Sequence, residues 1–523
     1  MNPDPDEVIH PGAEEIQWLT KKDLQGNEPY PHYSIFTEQA RNFISLEKQC
    51  ALFCGGRRCK YERADCWPDQ MVINGLFSHW VTDNILAMSR PNTAAIKEFN
   101  IIQQFKDANI KTVINLQESG EHASCGPGLE ASGFSYNPQD FMDKDIYVYN
   151  FSCPDFGASS NGMILDMVRV MQFALSQGKV AIHCHAGLGR TGLLICSYLV
   201  FTNRMSANDA IHYVREKRPR SIQTRRQMQC LKDFADYLQQ LWIIFTFPED
   251  VSCELTLQQY LSRQRKLLHG YEGRKLKYIP KIIYFVCERL LELAGRGNSL
   301  SSTFAKRPVD LKGAESDLNS LQLESKSSKN GNQEASSSAD TFPNWWKQMT
   351  ETEVTCLKAQ EIAIALCNST FNDDVTKRKN ELKRQLNSCD DSWKSIATES
   401  DPFVLAALLW DWLNQLKEPV LRYTDMKGLL SYVNDPLSGL QTLEKSPYAI
   451  LNYFSKVIGC LLPLPDRLIT QVLEMLLSHL TYHYIITDHC APLSRCNHWL
   501  DLQPSTPEEL LNFFKALIRI NHK

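Results

Sequence analysis

One run of ten residues, His183-Cys184-His185-Ala186-Gly187-Leu188-Gly189-Arg190-Thr191-Gly192, gathers a thiol, an arginine, two imidazoles, a hydroxyl and three glycines. It follows a β-branched stretch and opens a helical one. That arrangement suits a loop wrapped around phosphate. Glycines at 187 and 189 let backbone N–H groups turn inward without Cβ clashes. A helix starting near Arg190 aims its positive dipole end at the same anion. The same donors stabilise a thiolate, which makes Cys184 the candidate nucleophile. Arg190 offers a planar fork for two phosphoryl oxygens. Thr191 can donate its hydroxyl to the thiolate, and His183 sits behind the loop, where its hydrogen bonds can hold the cysteine in place. A nucleotide-binding loop of the Walker type is excluded, because no Lys-Ser/Thr pair follows the last glycine. His183 and His185 do not read as joint metal ligands, since neighbours at a strand end point in opposite directions.

Cys-x5-Arg with His before it and Thr-Gly after it resembles the signature of the protein tyrosine phosphatase superfamily. Ala186-Gly-Leu-Gly-Arg-Thr-Gly192 is similar to the Cdc14 and dual-specificity branch. The resemblance implies phosphate bound by His185, Ala186, Gly187, Leu188, Gly189 and Thr191, a cysteinyl-phosphate intermediate, and no metal or other cofactor. It also implies a non-receptor, cytoplasmic enzyme with a link to the cytoskeleton or cilia. Phosphoinositide phosphatases of this superfamily carry lysines where this chain has His185 and Leu188. A phosphoprotein substrate is therefore expected, with an inositol phospholipid as the alternative. A second alternative is a phosphoprotein-binding scaffold of little turnover acting through its C-terminal helices.

Attack on a phosphate ester needs an acid to protonate the departing oxygen. Trp67-Pro68-Asp69 spells the acid-loop tripeptide of tyrosine-specific phosphatases, but it lies 115 residues before Cys184. Asp155, in Cys153-Pro-Asp-Phe-Gly157, lies 29 residues before the nucleophile, directly after a predicted strand. The resemblance demands that position, so Asp155 is the expected general acid. Its context departs from relatives that carry Trp-Lys before the aspartate. After Arg218-Pro219, the resemblance implies a glutamine that positions water: Gln227, with Gln223 as the weaker choice. Arginines 218, 220, 225 and 226 are expected to form an anion-attracting rim.

The elements that must hold these residues are legible from periodicity. Strands are predicted at 84–88, 111–116, 146–151 and 180–183, and helices at 95–108, 163–176, 193–201 and 206–217, with Ser206 as an N-cap. Strands alternating with such helices imply an α/β domain with a mostly parallel central sheet flanked by helices, over 71–245. Before it, 1–70 reads as irregular; after it come a helical extension (246–295), a Ser-rich flexible linker (296–344) and an all-α C-terminal region (345–523).

The 523-residue chain is 43% hydrophobic and 22% charged with a formal net charge of −4, which singles out no nucleic-acid partner. No apolar stretch reaches the length of a membrane span, and the acidic N-terminus does not read as a signal peptide. Seventeen cysteines, an odd number, fit reduced thiols. Cys50, Cys54, Cys59 and Cys66 cluster, yet lack paired Cys-x2-Cys knuckles, so no metal is expected there. Cys153 or Cys125 could pair with Cys184 under oxidation. In the C-terminal region, Asp401 to Val420 has helical spacing that stops at Glu-Pro and is similar to a helix of Rho GTPase-activating domains. The resemblance places the catalytic arginine near Phe371-Asn372, where there is none, and so implies a small-GTPase-binding or scaffolding module without that activity. An unrelated helical bundle fits the same apolar stripe.

Overall fold

The computed structural model describes residues 29–41, 43–153, 159–246, 255–268, 270–297, 351–388, 392–483, 485 and 506–521. They fall into two compact units, one built on Glu7–Ile243 and one on Ile244–Asn387 and Asp391–Lys523.

The first unit is organised by a five-stranded sheet, β1 (Ser78–Thr82), β2 (Ile85–Met88), β3 (Ile110–Asn115), β4 (Tyr147–Asn150) and β5 (Lys179–His183). Their order is β1-β2-β5-β3-β4, and only the β1–β2 pair is antiparallel. β2, β3 and β5 are mostly apolar or β-branched and mostly buried, as central strands covered on both faces must be. β1 was not foreseen. Thr82 pairs with Ile85, so Asp83-Asn84 closes a two-residue hairpin turn that the alternation alone did not mark.

Register aligns the ends of the parallel strands. Met88 pairs with His183, His183 with Asn115, and Asn115 with Asn150. The four segments that follow therefore emerge along one rim, the usual ligand side of such a sheet.

The predicted helix at 95–108 is two helices, α1 (Thr93–Glu98) and α2 (Ile101–Asp107). The break falls at Asn100, which takes the left-handed conformation (φ 51°) that asparagine tolerates better than most residues. α3 (Asn161–Leu175) is capped by Ser160 and buries Ile164, Leu165, Val168, Met171 and Leu175, a stripe at helical spacing. α4 (Gly189–Asn203) is buried nearly all round, from Gly189 to Phe201, so its N-terminus is fixed against the loop that precedes it. α5 (Ala207–Lys217) has the expected Ser206 cap. α6 (Arg225–Trp242) begins in a capping box of Thr224 and Gln227.

The second unit is helical. Leu257, Ile282, Phe285 and Leu290 of the stretch read as an extension share one apolar core with Ala363, Trp412, Phe454, Leu477 and Phe514. The sequence-drawn boundary after residue 295 thus divides a single core, while the linker itself lies mostly outside the described residues. The helix Pro402–Asn414 starts at an Asp401 cap with proline in its first turn, as its composition dictates. Asn372, at the position where an arginine was sought, caps the next helix by accepting from Val375 N at 2.8 Å. No described helix is long and apolar enough to cross a membrane.

Phe105 anchors α2 to the sheet and is fully buried beside Phe141. Phe105→Ala is expected to destabilise the first unit by about 3–5 kcal/mol, read as a lower midpoint in denaturant unfolding.

Candidate active site

A phosphate cradle needs amides pointing in, so its carbonyls must be held from behind. Here Arg218 does this. Its side chain is fully buried, donating from Nε to the Gly187 carbonyl at 2.5 Å and from Nη2 to the Ala186 carbonyl at 3.0 Å. Its Nη1 donates to His79 Nδ1 at 2.7 Å, and its guanidinium lies over the Phe77 ring. Burial lowers Arg218 to about 9, still charged at neutral pH. The residue read as part of an exposed anion rim is therefore a strut beneath the loop. Arg220, Arg225 and Arg226 are exposed.

Gly187 sits at φ 66°, and a Cβ there would lie 1.9 Å from the Met88 carbonyl oxygen. Only glycine fits this approach of loop to strand end.

His183 stands behind Cys184, fully buried. Its Nδ1–H donates to the Cys184 carbonyl at 3.0 Å, and its Nε2 accepts from the Tyr136 hydroxyl at 2.9 Å. Burial lowers the imidazole to about 4, so it is neutral at physiological pH. Tyr136, near the end of a loop that is poor in periodic signal, was not identified from sequence.

Arg190 is held by more than the loop. Both of its Nη atoms pair with the Glu121 carboxylate, Nη1 at 2.7 Å, and Nη1 also donates to the carbonyls of Leu116 and Cys153 at 3.2 and 2.8 Å. Burial pushes the Glu121 carboxyl up, but hydrogen bonds from Arg190 and His122 override it and hold the group well below the usual carboxylate range. Glu121 is the main site residue that the sequence reading missed. It lies in a Gly/Ser-rich stretch without strand or helix periodicity.

Cys184, Ala186, Gly189 and Arg190 form the floor of a recess. Tyr33, Phe53 and Tyr61, from the segment read as irregular, wall it on one side, and Gln223 and Gln227 on another. Gln227 Nε2 reaches over Gly189, where an added Cβ would meet it at 2.8 Å, while its Oε1 accepts from the Gln223 and Thr224 amides. Backbone amides of His32 and Tyr33 in turn donate to the Gln223 carbonyl at 2.9 and 3.2 Å. Leu188 is buried and Thr191 fully so; the Thr191 hydroxyl has no hydrogen-bond partner among the described residues. Asp155 lies outside the described residues. Asp69 is exposed and does not line the recess, and its neighbour Trp67 stacks on Phe77 at 4.2 Å.

His185 also lines the recess, yet its nitrogens engage other groups: Nδ1 is 3.8 Å from Cys54 Sγ, and Nε2 is 3.5 Å from Cys59 Sγ and 3.7 Å from Glu62. The sequence reading gave it to substrate; its side chain instead joins a cluster with His122, whose ring stacks on it at 3.8 Å, and the buried thiols of Cys50, Cys54, Cys59 and Cys125. Arg90 braces this cluster from beneath. It pairs with Glu62, both side chains being buried, and donates to the carbonyls of Glu121, His122 and Cys125.

Residues 95–237 match the dual specificity phosphatase catalytic domain. Among curated relatives, this chain is 53% identical over 268 residues to protein tyrosine phosphatase domain-containing protein 1 of Danio rerio, covering 51% of this chain and 38% of that one. The Mus musculus protein of the same name is 50% identical over 307 residues, covering 58% and 41%. Dual specificity protein phosphatase CDC14C of Symphalangus syndactylus is 29% identical over 167 residues, covering 30% and 29%. The chain thus spans about two fifths of the length of the first two relatives. The match to residues 95–237 contains the phosphate loop but not β1, β2 or the cysteine-rich segment before them.

Gly187→Ala forces a side chain into a left-handed position, which alone costs about 1–2 kcal/mol, and adds the clash with Met88. An unfolding free energy lower by at least that amount is expected in denaturant titration. The buried His183 predicts a pH effect of definite sign. It binds a proton at about 4 rather than 6.5, so the unfolded chain takes up more protons between those values. Stability is full above pH 6.5 and falls toward pH 4, by about 3 kcal/mol from this group. Replacing His183 with asparagine should flatten the pH dependence of the unfolding free energy in that window by this amount.

Proposed function

We propose that the chain is a protein phosphatase that hydrolyses phosphotyrosine or phosphoserine/threonine through a cysteinyl-phosphate intermediate. The observation that carries this reading is the Arg190 guanidinium, fixed by Glu121 and two carbonyls at the floor of the recess beside Cys184. A clamp held this way before substrate arrives loses little freedom on binding and stabilises charge as it develops on the transferring phosphoryl group.

In this reading Cys184 attacks phosphorus, the P–O bond to the leaving oxygen breaks, and Asp155 delivers the proton to that oxygen. Arg190 and the amides of the loop hold the equatorial oxygens. Thr191 supplies its hydroxyl to the sulfur, Gln227 positions the water that cleaves the S–P bond, and Asp155 takes that water's proton. A peptide substrate is supported over an inositol phospholipid. The His185 nitrogens are turned toward thiols and Glu62, and Leu188 is buried, so neither position adds a cation for a polyphosphorylated headgroup. Three aromatic walls fit the side chain that carries the phosphate.

Turnover of phosphotyrosine and phosphothreonine peptides by the full chain tests this. Cys184→Ser is expected to abolish it, and Asp155→Ala to lower kcat by about 10²–10⁴-fold. Phosphopeptide binding without turnover in the unaltered chain would replace the reading with that of a phosphoprotein-binding module.

A further inference from the structure

We propose that Cys54, Cys125, His122 and His185 bind one Zn²⁺ ion beside the phosphate loop. The ligand atoms of these four residues all lie within 4.8 Å of one another. A tetrahedral zinc, with bonds of about 2.3 Å to sulfur and about 2.0 Å to nitrogen, sets its ligand atoms roughly 3.3–3.8 Å apart. Cys54 Sγ is 3.8 Å from His185 Nδ1, and Cys125 Sγ is 3.7 Å from His122 Nδ1.

The outer shell fits as well. A metal-bound imidazole characteristically presents its other nitrogen to a carboxylate. His122 Nε2 faces Glu121 at 3.3 Å, and His185 Nε2 lies between Glu62 at 3.7 Å and the Cys59 thiol at 3.5 Å. Both turn Nδ1 toward the thiols. His122 holds φ 55°, a left-handed conformation that a bulky residue keeps only where surroundings impose it. The Cys125 amide closes a turn onto the His122 carbonyl, so the two ligands are presented from one bend. Gly55, at φ 98°, turns the chain just after Cys54.

Two thiolates and two imidazoles whose ligand atoms converge within 4.8 Å are a zinc donor set, and four protein ligands leave no open position for a reacting group. The ion is therefore structural. Loading releases the two thiol protons to solvent. It fastens three segments that are remote in sequence, at 54, 122–125 and 185, and through His122 it fixes the Glu121 carboxylate that holds Arg190. The spacing within 50–66 hid the site, because only Cys54 of those cysteines is a ligand; the other three ligands lie in later loops.

Metal analysis of the full chain purified without chelator tests the proposal. About one zinc per chain is expected, retained by Cys66→Ser, whose residue is exposed, and lost from Cys54→Ser and Cys125→Ser. Should those variants fail to fold, cobalt exchanged into the unaltered chain is expected to show thiolate-to-metal charge-transfer bands and tetrahedral d–d bands. Metal-free protein whose melting temperature does not respond to added zinc would overturn the site. So would cobalt bound without thiolate bands, or a disulfide joining Cys54 to Cys59 or Cys125.

Discussion

Backbone amides can converge on an anion only if the carbonyls alternating with them find partners elsewhere. In this protein that constraint falls on Arg218, which takes the carbonyls of Ala186 and Gly187 from behind and is itself oriented by Phe77 and His79. The loop after β5 is thus shaped by a charge buried behind it. β1 and the residue before it place His79 and Phe77 beneath the loop, and the hairpin to β2 brings the Met88 carbonyl against Gly187. Sheet edge and loop are one mechanical object.

Three buried arginines share the load. Arg90, Arg190 and Arg218 are each at most 4% exposed. Burying a charge without partners is costly, and each of the three meets that requirement differently. Arg90 has Glu62 and three carbonyls, Arg190 has Glu121 and two carbonyls, and Arg218 has carbonyls, an imidazole and an aromatic face. Their partners overlap at residues 121–125, which Arg90 grips by its carbonyls and Arg190 by its carboxylate. Displacing that loop would therefore disturb both guanidinium groups together.

The phosphate loop was legible in the sequence because its chemistry compresses into ten contiguous residues with fixed jobs. Parallel strands were legible because burial on both faces demands apolar, β-branched runs. What escaped notice were partners brought together only by folding. Glu121, Tyr136 and Arg90 lie in loops or just after a strand, where no periodicity announces them. Arg218 was noticed but given the wrong face, since an arginine beside Pro219 reads as surface until the carbonyls it serves are seen. The 95–108 stretch kept helical spacing across Asn100, so only backbone conformation revealed the break. Asp155 was selected by its distance from the nucleophile, and its place in the fold lies outside the described residues.

The hydrogen bonds from His32 and Tyr33 to the Gln223 carbonyl carry a practical meaning. They join the cysteine-rich preface to the very segment that supplies Gln227. The match to the family model begins at residue 95. The compact unit begins much earlier. A fragment cut at 95 would forfeit two of five strands, the Arg90 and Glu62 pair, and the aromatic side of its own recess. What looks like an appendage to the matched stretch is part of the same sheet and the same recess.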